Sequence, residues 1–235
     1  MPGLHFLTYC NDNDQKAIEL VNTLQSYNIF DTVAAYGIED LGEDFANAFR
    51  YKRRMDLDKF ALWKPAVIQR RLNEIPEGDI LIYLDPSYEF DIKHWGILDE
   101  YLNVLYNSKE DIVIFQSEDP EECYTIQHMF DYWGSFCSED IPKTGQYLSN
   151  LLIMQNGHHL RTIMKSWHGM LYTNLHYFTD HYARGAKKYN PKFVENRGSQ
   201  SILSVICKLR GSITVPEINA PIVKIDQVPM RIRTH

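Results

Sequence analysis

The chain has 235 residues, 44% of them hydrophobic, and its 31 Asp and Glu outweigh 24 Lys and Arg to give a net charge of −7. That composition supports a packed core in one large or two small domains and excludes a mostly disordered chain. The acidic balance argues against a nucleic-acid binder, whose footprint is a basic face or stripe.

Taken in chain order, Leu4 to Cys10 is a short apolar strand that ends on Asn11-Asp12-Asn13-Asp14, residues suited to turns and N-caps, and Gln15 to Ser26 has helical apolar spacing. Ile29 to Tyr36 reads as a second strand, Gly37 as its punctuation, and Leu41 to Phe60 as a mixed-charge helix. The next helix is predicted to start near Trp63-Lys64-Pro65, since proline suits a first helical turn, and to run to about Asn73. Pro76-Glu77-Gly78-Asp79 is a turn. Ile80 to Leu84 is a continuous apolar run of the kind buried on both faces of a sheet, and it ends on Asp85. Beyond it come a helix over Trp95 to Tyr106, a strand over Asp111 to Gln116, a helix over Glu121 to Tyr132 and a strand over Leu148 to Met154. Helices follow over Gly157 to Tyr172 and Ser199 to Leu209, separated by an irregular segment rich in Tyr, His and Lys, and Pro216 to Ile225 is extended. No repeat, low-complexity stretch or linker divides the chain. The alternation predicts a single α/β domain with a mainly parallel sheet.

Cys10, Cys123, Cys137 and Cys207 are scattered and form no CxxC pair, which indicates neither a zinc site nor a disulfide framework. The first ten residues lack a basic n-region and a long enough apolar run for a signal peptide, and no stretch approaches the ~20 apolar residues of a membrane span. A cytoplasmic protein with no membrane span and no nucleic-acid partner is expected. Between Lys52 and Arg71 the chain is locally basic, with Lys52, Arg53, Arg54, Lys59, Lys64, Arg70 and Arg71 against Asp56 and Asp58. Such a patch suits a phosphorylated ligand or a solvated helix face.

Several chemistries are excluded by their missing motifs: there is no GxxxxGK[ST] loop, no GxGxxG after a strand, no GxSxG elbow and no HExxH helix. The histidines, among them His158, His159, His176 and His181, have no spacing that sets two ligands on one helix face, and read as surface or hydrogen-bonding residues. What remains is a carboxylate at the carboxyl end of a buried strand, where α/β sheets bind ligands, with a basic helix upstream of it. Asp85 is either a ligand-binding group or the cap of the following turn.

The strings Trp63-Lys64-Pro65, Gly78-Asp79-Ile80-Leu81-Ile82-Tyr83-Leu84-Asp85 and Gln200-Ser201-Ile202-Leu203-Ser204 resemble the WKPxII, GDIxLYxDAG and DQSILSLL blocks of one family. These are the GT-A-fold glycosyltransferases of bacterial polysaccharide clusters and large DNA viruses, and the resemblance spans roughly residues 4 to 235. It implies a nucleotide-binding half to about residue 116 and a sugar- and acceptor-binding half over about 117–235. Asp85 matches the aspartate of the family's Asp-x-Asp motif, which sits beside the ribose and a divalent metal, Mn²⁺ or Mg²⁺, that stabilises the departing diphosphate. The chain departs from that motif at Pro86-Ser87, which leaves Ser87 or a backbone carbonyl to approach the ion through water. His235 is a metal ligand by position or a frayed end, and Arg231 or Arg233 a diphosphate contact.

The resemblance places Thr8 and Tyr9 at the nucleoside and Lys64 at the ribose or phosphate, while the large apolar area of Trp63 favours core packing. It also places Gln146, Ser149 and Asn150 at the sugar hydroxyls and Gln200 at the anomeric carbon, with Ser199 where the family carries an aspartate. If the reaction inverts, Asp131 and Asp140 are the candidate bases for the acceptor's proton. If it retains, Gln200 steadies the sugar and no strong protein base is needed. The reading is transfer from a nucleoside-diphosphate sugar, UDP-sugars favoured, to a glycan or glycoprotein acceptor. The competing readings are a catalytically inactive glycan- or nucleotide-binding module and, less suited to an acidic loop without glycine after the first strand, a nucleotidyltransferase. The ending on Arg-Thr-His leads to an expectation of further domains in a longer polypeptide.

Overall fold

The computed structural model describes residues 2–10, 14–43, 45, 61–90 and 95–224. Strand β1 (Leu4–Tyr9) leads to helix α1 (Gln15–Tyr27). The Asp14 carboxylate caps that helix by accepting from the Lys16 and Ala17 amides at 3.0 and 3.4 Å, and left-handed Asn28 closes it at φ 53°. There follow β2 (Thr32–Tyr36), α2 (Lys64–Glu74), β3 (Ile80–Leu84), β4 (Tyr88–Phe90), α3 (Trp95–Tyr106) and β5 (Ile112–Pro120). The remainder is α4 (Glu121–Tyr124), α5 (Gln127–Trp133), β6 (Gly145–Gln155), α6 (His158–Thr173), α7 (Ala186–Tyr189), α8 (Ser199–Arg210), β7 (Ile213–Pro216) and β8 (Ile222–Lys224).

Six strands form one sheet in the order β2-β1-β3-β6-β5-β7, and β4 pairs antiparallel with β8 beside it. Within the large sheet β6 runs against its neighbours β3 and β5, while the other pairs are parallel. The fold is α/β, with a mainly parallel sheet between helices. Side chains alternate across the pleat, so each central strand feeds two cores. Leu7, Leu81, Tyr83, Ile114, Leu152 and Met154 pack with α2, α6 and α8. Phe6, Ile80, Ile82, Val113, Phe115 and Ile153 face the other way, with Leu20 and Leu24 of α1 and Leu98 and Leu105 of α3. The chain steps from β1 to β2 on one side and then to β3 on the other, so the order reverses at the carboxyl ends of β1 and β3. That reversal opens the crevice in which such sheets bind ligands.

The strand over Ile80–Leu84 and the helix over Trp95–Tyr106 have the bounds the sequence predicts, while other elements differ for local reasons. The helix expected over Glu121 to Tyr132 breaks at extended Thr125 and Ile126. Its carbonyls are diverted there: Cys123 O accepts from Val194 N and Tyr124 O from Arg197 N. The strand expected from Leu148 starts three residues earlier, because Gly145 lets the backbone approach Ser117, whose carbonyl a Cβ would meet at 1.8 Å. Most of the helix expected over Leu41 to Phe60 lies outside the described residues. Strand β4 follows the Asp85-Pro86-Ser87 turn and is too short to carry a periodic signal.

At the opposite end of the sheet Asp79 accepts from Gly3 N at 2.8 Å and from His5 Nε2 at 2.9 Å. The His5 bond, then the Gly3 bond, hold its carboxyl below the usual range against burial. A lowered folded pKa stabilises the fold above the unfolded value and is lost as pH falls through the folded one. Asp79→Asn is therefore expected to lower the unfolding free energy by about 1–2 kcal/mol at pH 7. In urea titrations the gap to the parent closes below about pH 4.

Candidate functional site

Asp85 stands at the carboxyl end of β3, one pleat period beyond Tyr83 and on the same face. Its amide is fixed by Asn150 O of β6 at 2.9 Å. Tyr83 Oη donates to Oδ1 of the carboxylate, and Lys64 Nζ, from the first position of α2, donates to Oδ2 at 2.9 Å. The same ammonium donates to the carbonyl and the hydroxyl of Ser149, both at 3.2 Å. An ammonium has three protons, and Lys64 has a partner for each. The lysine side chain is 5% exposed and the aspartate 22%, so the pair opens to solvent on the carboxylate side. Burial, then the charge of Asp85, push the Tyr83 phenol well above its ordinary value and keep it a donor.

Ser149 links this pair to helix α8, since its amide donates to Gln200 Oε1 at 3.3 Å. Gln200 Nε2 in turn donates to Gln146 Oε1 at 2.8 Å, where Arg197 Nη1 also donates at 3.2 Å. Gln146 is fully buried, and its Nε2 donates to Glu121 Oε1 at 3.1 Å and to the Thr125 and Ser201 hydroxyls at 3.2 Å. Its amide is thus bonded to protein partners on both its nitrogen and its oxygen. Behind it lies a buried ion pair, in which Lys208 Nζ reaches Glu121 Oε2 at 2.6 Å and Gly145 O at 2.8 Å. Burial pulls the Lys208 pKa below its usual value, partly offset by Glu121. The Ser204 hydroxyl donates to the same carboxylate.

The other sequence candidates fall at different depths. Thr8 is fully buried, with its hydroxyl spent on Leu84 O at 2.7 Å, so it bridges β1 to β3. Tyr9 and Trp63 stack flat at 3.5 Å and 4°, both nearly buried, which covers one face of the Tyr9 ring. Trp63 Nε1 and the Ser199 hydroxyl are buried without a hydrogen-bond partner. Asn150 Oδ1 accepts from Leu151 N, and Ser87 is part of the partly exposed turn after Asp85. Asp131 is exposed on α5 and accepts from Gln127 Nε2 at 2.9 Å. The Asp140 side chain is 87% exposed and 3.8 Å from Lys143, outside the network that joins Asp85 to Gln200. His235, Arg231 and Arg233 lie outside the described residues, as do Lys52 to Lys59 of the basic patch. The rest of that patch is internally paired, since Arg70 and Arg71 both reach Glu74.

Sequence reasoning missed Tyr83, Glu121, Arg197 and Lys208. A signal was present for one side of the buried network. Ser201, Ser204 and Lys208 recur at three- and four-residue steps along an otherwise apolar helix, which marks a polar stripe facing a partner. Glu121 carries no pattern of its own.

A divalent cation needs several oxygen donors, and here one carboxylate is available with each oxygen already bonded, to Tyr83 and to Lys64. Among the described residues no three His, Cys, Asp or Glu side chains come together in a cation-binding group. The described residues therefore do not fit a divalent cation while the Lys64 pair is closed.

No protein-family model matches the chain, and no curated protein does. Among solved structures it is similar to mouse xyloside xylosyltransferase 1 in its apo form, with a TM-score of 0.44 and 14% identity over 92% of this chain and 84% of that one. A glycosyltransferase involved in glycosylating the major capsid of PBCV-1 gives a TM-score of 0.44 and 10% identity, over 99% of this chain and 97% of that one. The UTP-bound UGPase of Acinetobacter baumannii gives 0.34 and 11%, over 88% and 93%. No described helix is long and apolar enough to cross a membrane.

Proposed function

We propose that the chain is a GT-A-type glycosyltransferase that moves a sugar from a nucleoside-diphosphate sugar, a UDP-sugar by preference, to a glycan or glycoprotein acceptor. The observation that carries this reading is the hydrogen-bonded line Asp85–Lys64–Ser149–Gln200 across the carboxyl end of β3, the amino-terminal half of β6 and the start of α8. It sets a cation and a carboxylate at one end and an amide at the other, beside the crevice where the strand order reverses. In this reading residues to about 116 hold the nucleotide, with Tyr9, backed by Trp63, toward its base and Lys64 toward its ribose or diphosphate once released from Asp85 and Ser149. The later half holds sugar and acceptor, with Gln200 beside the anomeric carbon and Asp131 or Asp140 taking the acceptor's proton if the reaction inverts. If a divalent cation binds, Asp85 is the residue that would hold it, and the ion would supply charge stabilisation to a departing diphosphate.

A panel of nucleoside diphosphates and nucleotide sugars, with Mn²⁺ or with a chelator, tests this by thermal shift on the parent and on Asp85→Ala. A UDP- or GDP-dependent rise in Tm is expected in the parent, accompanied by slow hydrolysis of a nucleotide sugar. A manganese-dependent increment that vanishes in Asp85→Ala assigns the ion to that carboxylate. No response to any nucleoside diphosphate overturns the reading. A second reading, a binding module without turnover, is favoured by the closed state of the site: both Asp85 oxygens are bonded within the protein, and Asp131 and Asp140 stand outside the network. Nucleotide binding with no hydrolysis or transfer to any acceptor selects it.

A further inference from the structure

We propose that the stacked rings on α5 and the segment after α6 form a glycan-binding platform, the acceptor side of the site described above. His128 of α5 stacks on Tyr182 at 4.4 Å and 18°. Tyr182 meets Tyr177 at 5.4 Å and His181 at 4.8 Å, and Tyr177 meets Tyr132, which abuts Trp133. With His176, 4.3 Å from His181 and 6.2 Å from Tyr182, seven rings form one continuous seam. It is open to solvent: Tyr132 is 46% exposed, His128, His176 and His181 are exposed, and the others are partly so.

The seam is tied to the candidate site through the backbone. Asn196 Nδ2 donates to Tyr177 O and Thr179 O, both at 3.0 Å. Gly198, at φ 48°, packs where a Cβ would lie 2.3 Å from Phe178 O. Residues 196–198 lead directly into Ser199 and Gln200, and Arg197, which donates to Gln146, covers the Tyr124 ring at 3.5 Å. Asp131 shares the seam: after burial, Tyr182 and Tyr132, its charge is among the influences that push the Tyr177 phenol up.

The chemistry of the rings selects the occupant. Their faces are apolar while phenol and imidazole edges carry donors and acceptors. A sugar ring has the complementary character, with C–H faces and an equator of hydroxyls. The proposal rests on the sugar-transfer reading for the direction in which a bound glycan would point.

Ligand-observed NMR and calorimetry with maltohexaose, cellohexaose, xylohexaose and mannohexaose test it, with sorbitol as an open-chain polyol that has hydroxyls but no ring faces. At least one hexaose is expected to saturate the protein and sorbitol is not. Affinity should fall about tenfold in Tyr182→Ala and in Tyr132→Ala, the latter an exposed position chosen because its loss leaves the core intact. The nucleotide-dependent Tm rise should be unchanged in both. A hexaose that binds where no nucleotide does removes the donor reading and keeps the platform. Failure of every hexaose to saturate, equal affinity in both variants, or self-association abolished by Tyr132→Ala in place of glycan binding overturns it.

Discussion

Lys64→Met is expected to lower the unfolding free energy by about 3 kcal/mol and to abolish the nucleotide-dependent rise in Tm. The ammonium holds Asp85 and both oxygens of Ser149, so its removal strands a carboxylate and two acceptors at once. The carboxylate keeps the Tyr83 bond and is 22% exposed, which sets the cost at the lower end for a broken buried pair. Lys64→Arg is not a conservative control, since a planar guanidinium cannot direct three protons to these three oxygens. The informative control is Lys64→Met with Asp85→Asn, in which no charge is stranded. It should recover part of the stability without recovering nucleotide binding. Urea unfolding and thermal shift on the same preparations separate the two effects. A loss below about 1 kcal/mol with nucleotide binding intact would reduce the pair to an ordinary surface salt bridge.

The half of this site built from strand ends was legible in the sequence, and the half built from buried polar contacts was not. Ile80 to Leu84 announces a strand buried on both faces, and the residue after it must then stand at the sheet's carboxyl edge. Pro65 similarly fixes the start of α2 and puts Lys64 at its first position. Neither fact says that these two side chains meet, because the strand order that brings α2 over β3 is a property of the whole sheet. The reversed direction of β6 is hidden for the same reason: an apolar run reads alike in both directions. Gln146 shows the limit most clearly. The family resemblance implies a polar group in a sugar pocket there, whereas its burial depends on Glu121, Ser201 and Arg197, which come from three other segments.

That burial makes Glu121 the residue that orients the site's amides. An amide can be turned either way, and Gln146 is turned by its neighbours: Nε2 faces the Glu121 carboxylate, which only accepts, so Oε1 is left to receive Gln200 and Arg197. Gln200 then presents its own Oε1 to Ser149. Glu121→Ala should cost about 4 kcal/mol, because it leaves Lys208 charged and unpaired in the interior. Stability alone does not distinguish a structural pair from a positioning one. Glu121→Leu with Lys208→Met does, because replacing both ions by apolar groups of similar volume is often neutral or stabilising. The double variant is expected to recover part of the lost stability, the Thr125 and Ser204 hydroxyls still lacking their acceptor, while the Gln146 and Gln200 side-chain amide resonances shift or broaden. Nucleotide-sugar hydrolysis should then show a kcat at least about tenfold down with KM little changed, the pattern of an interaction made in the transition state. Full recovery of both stability and kcat would confine the pair to packing.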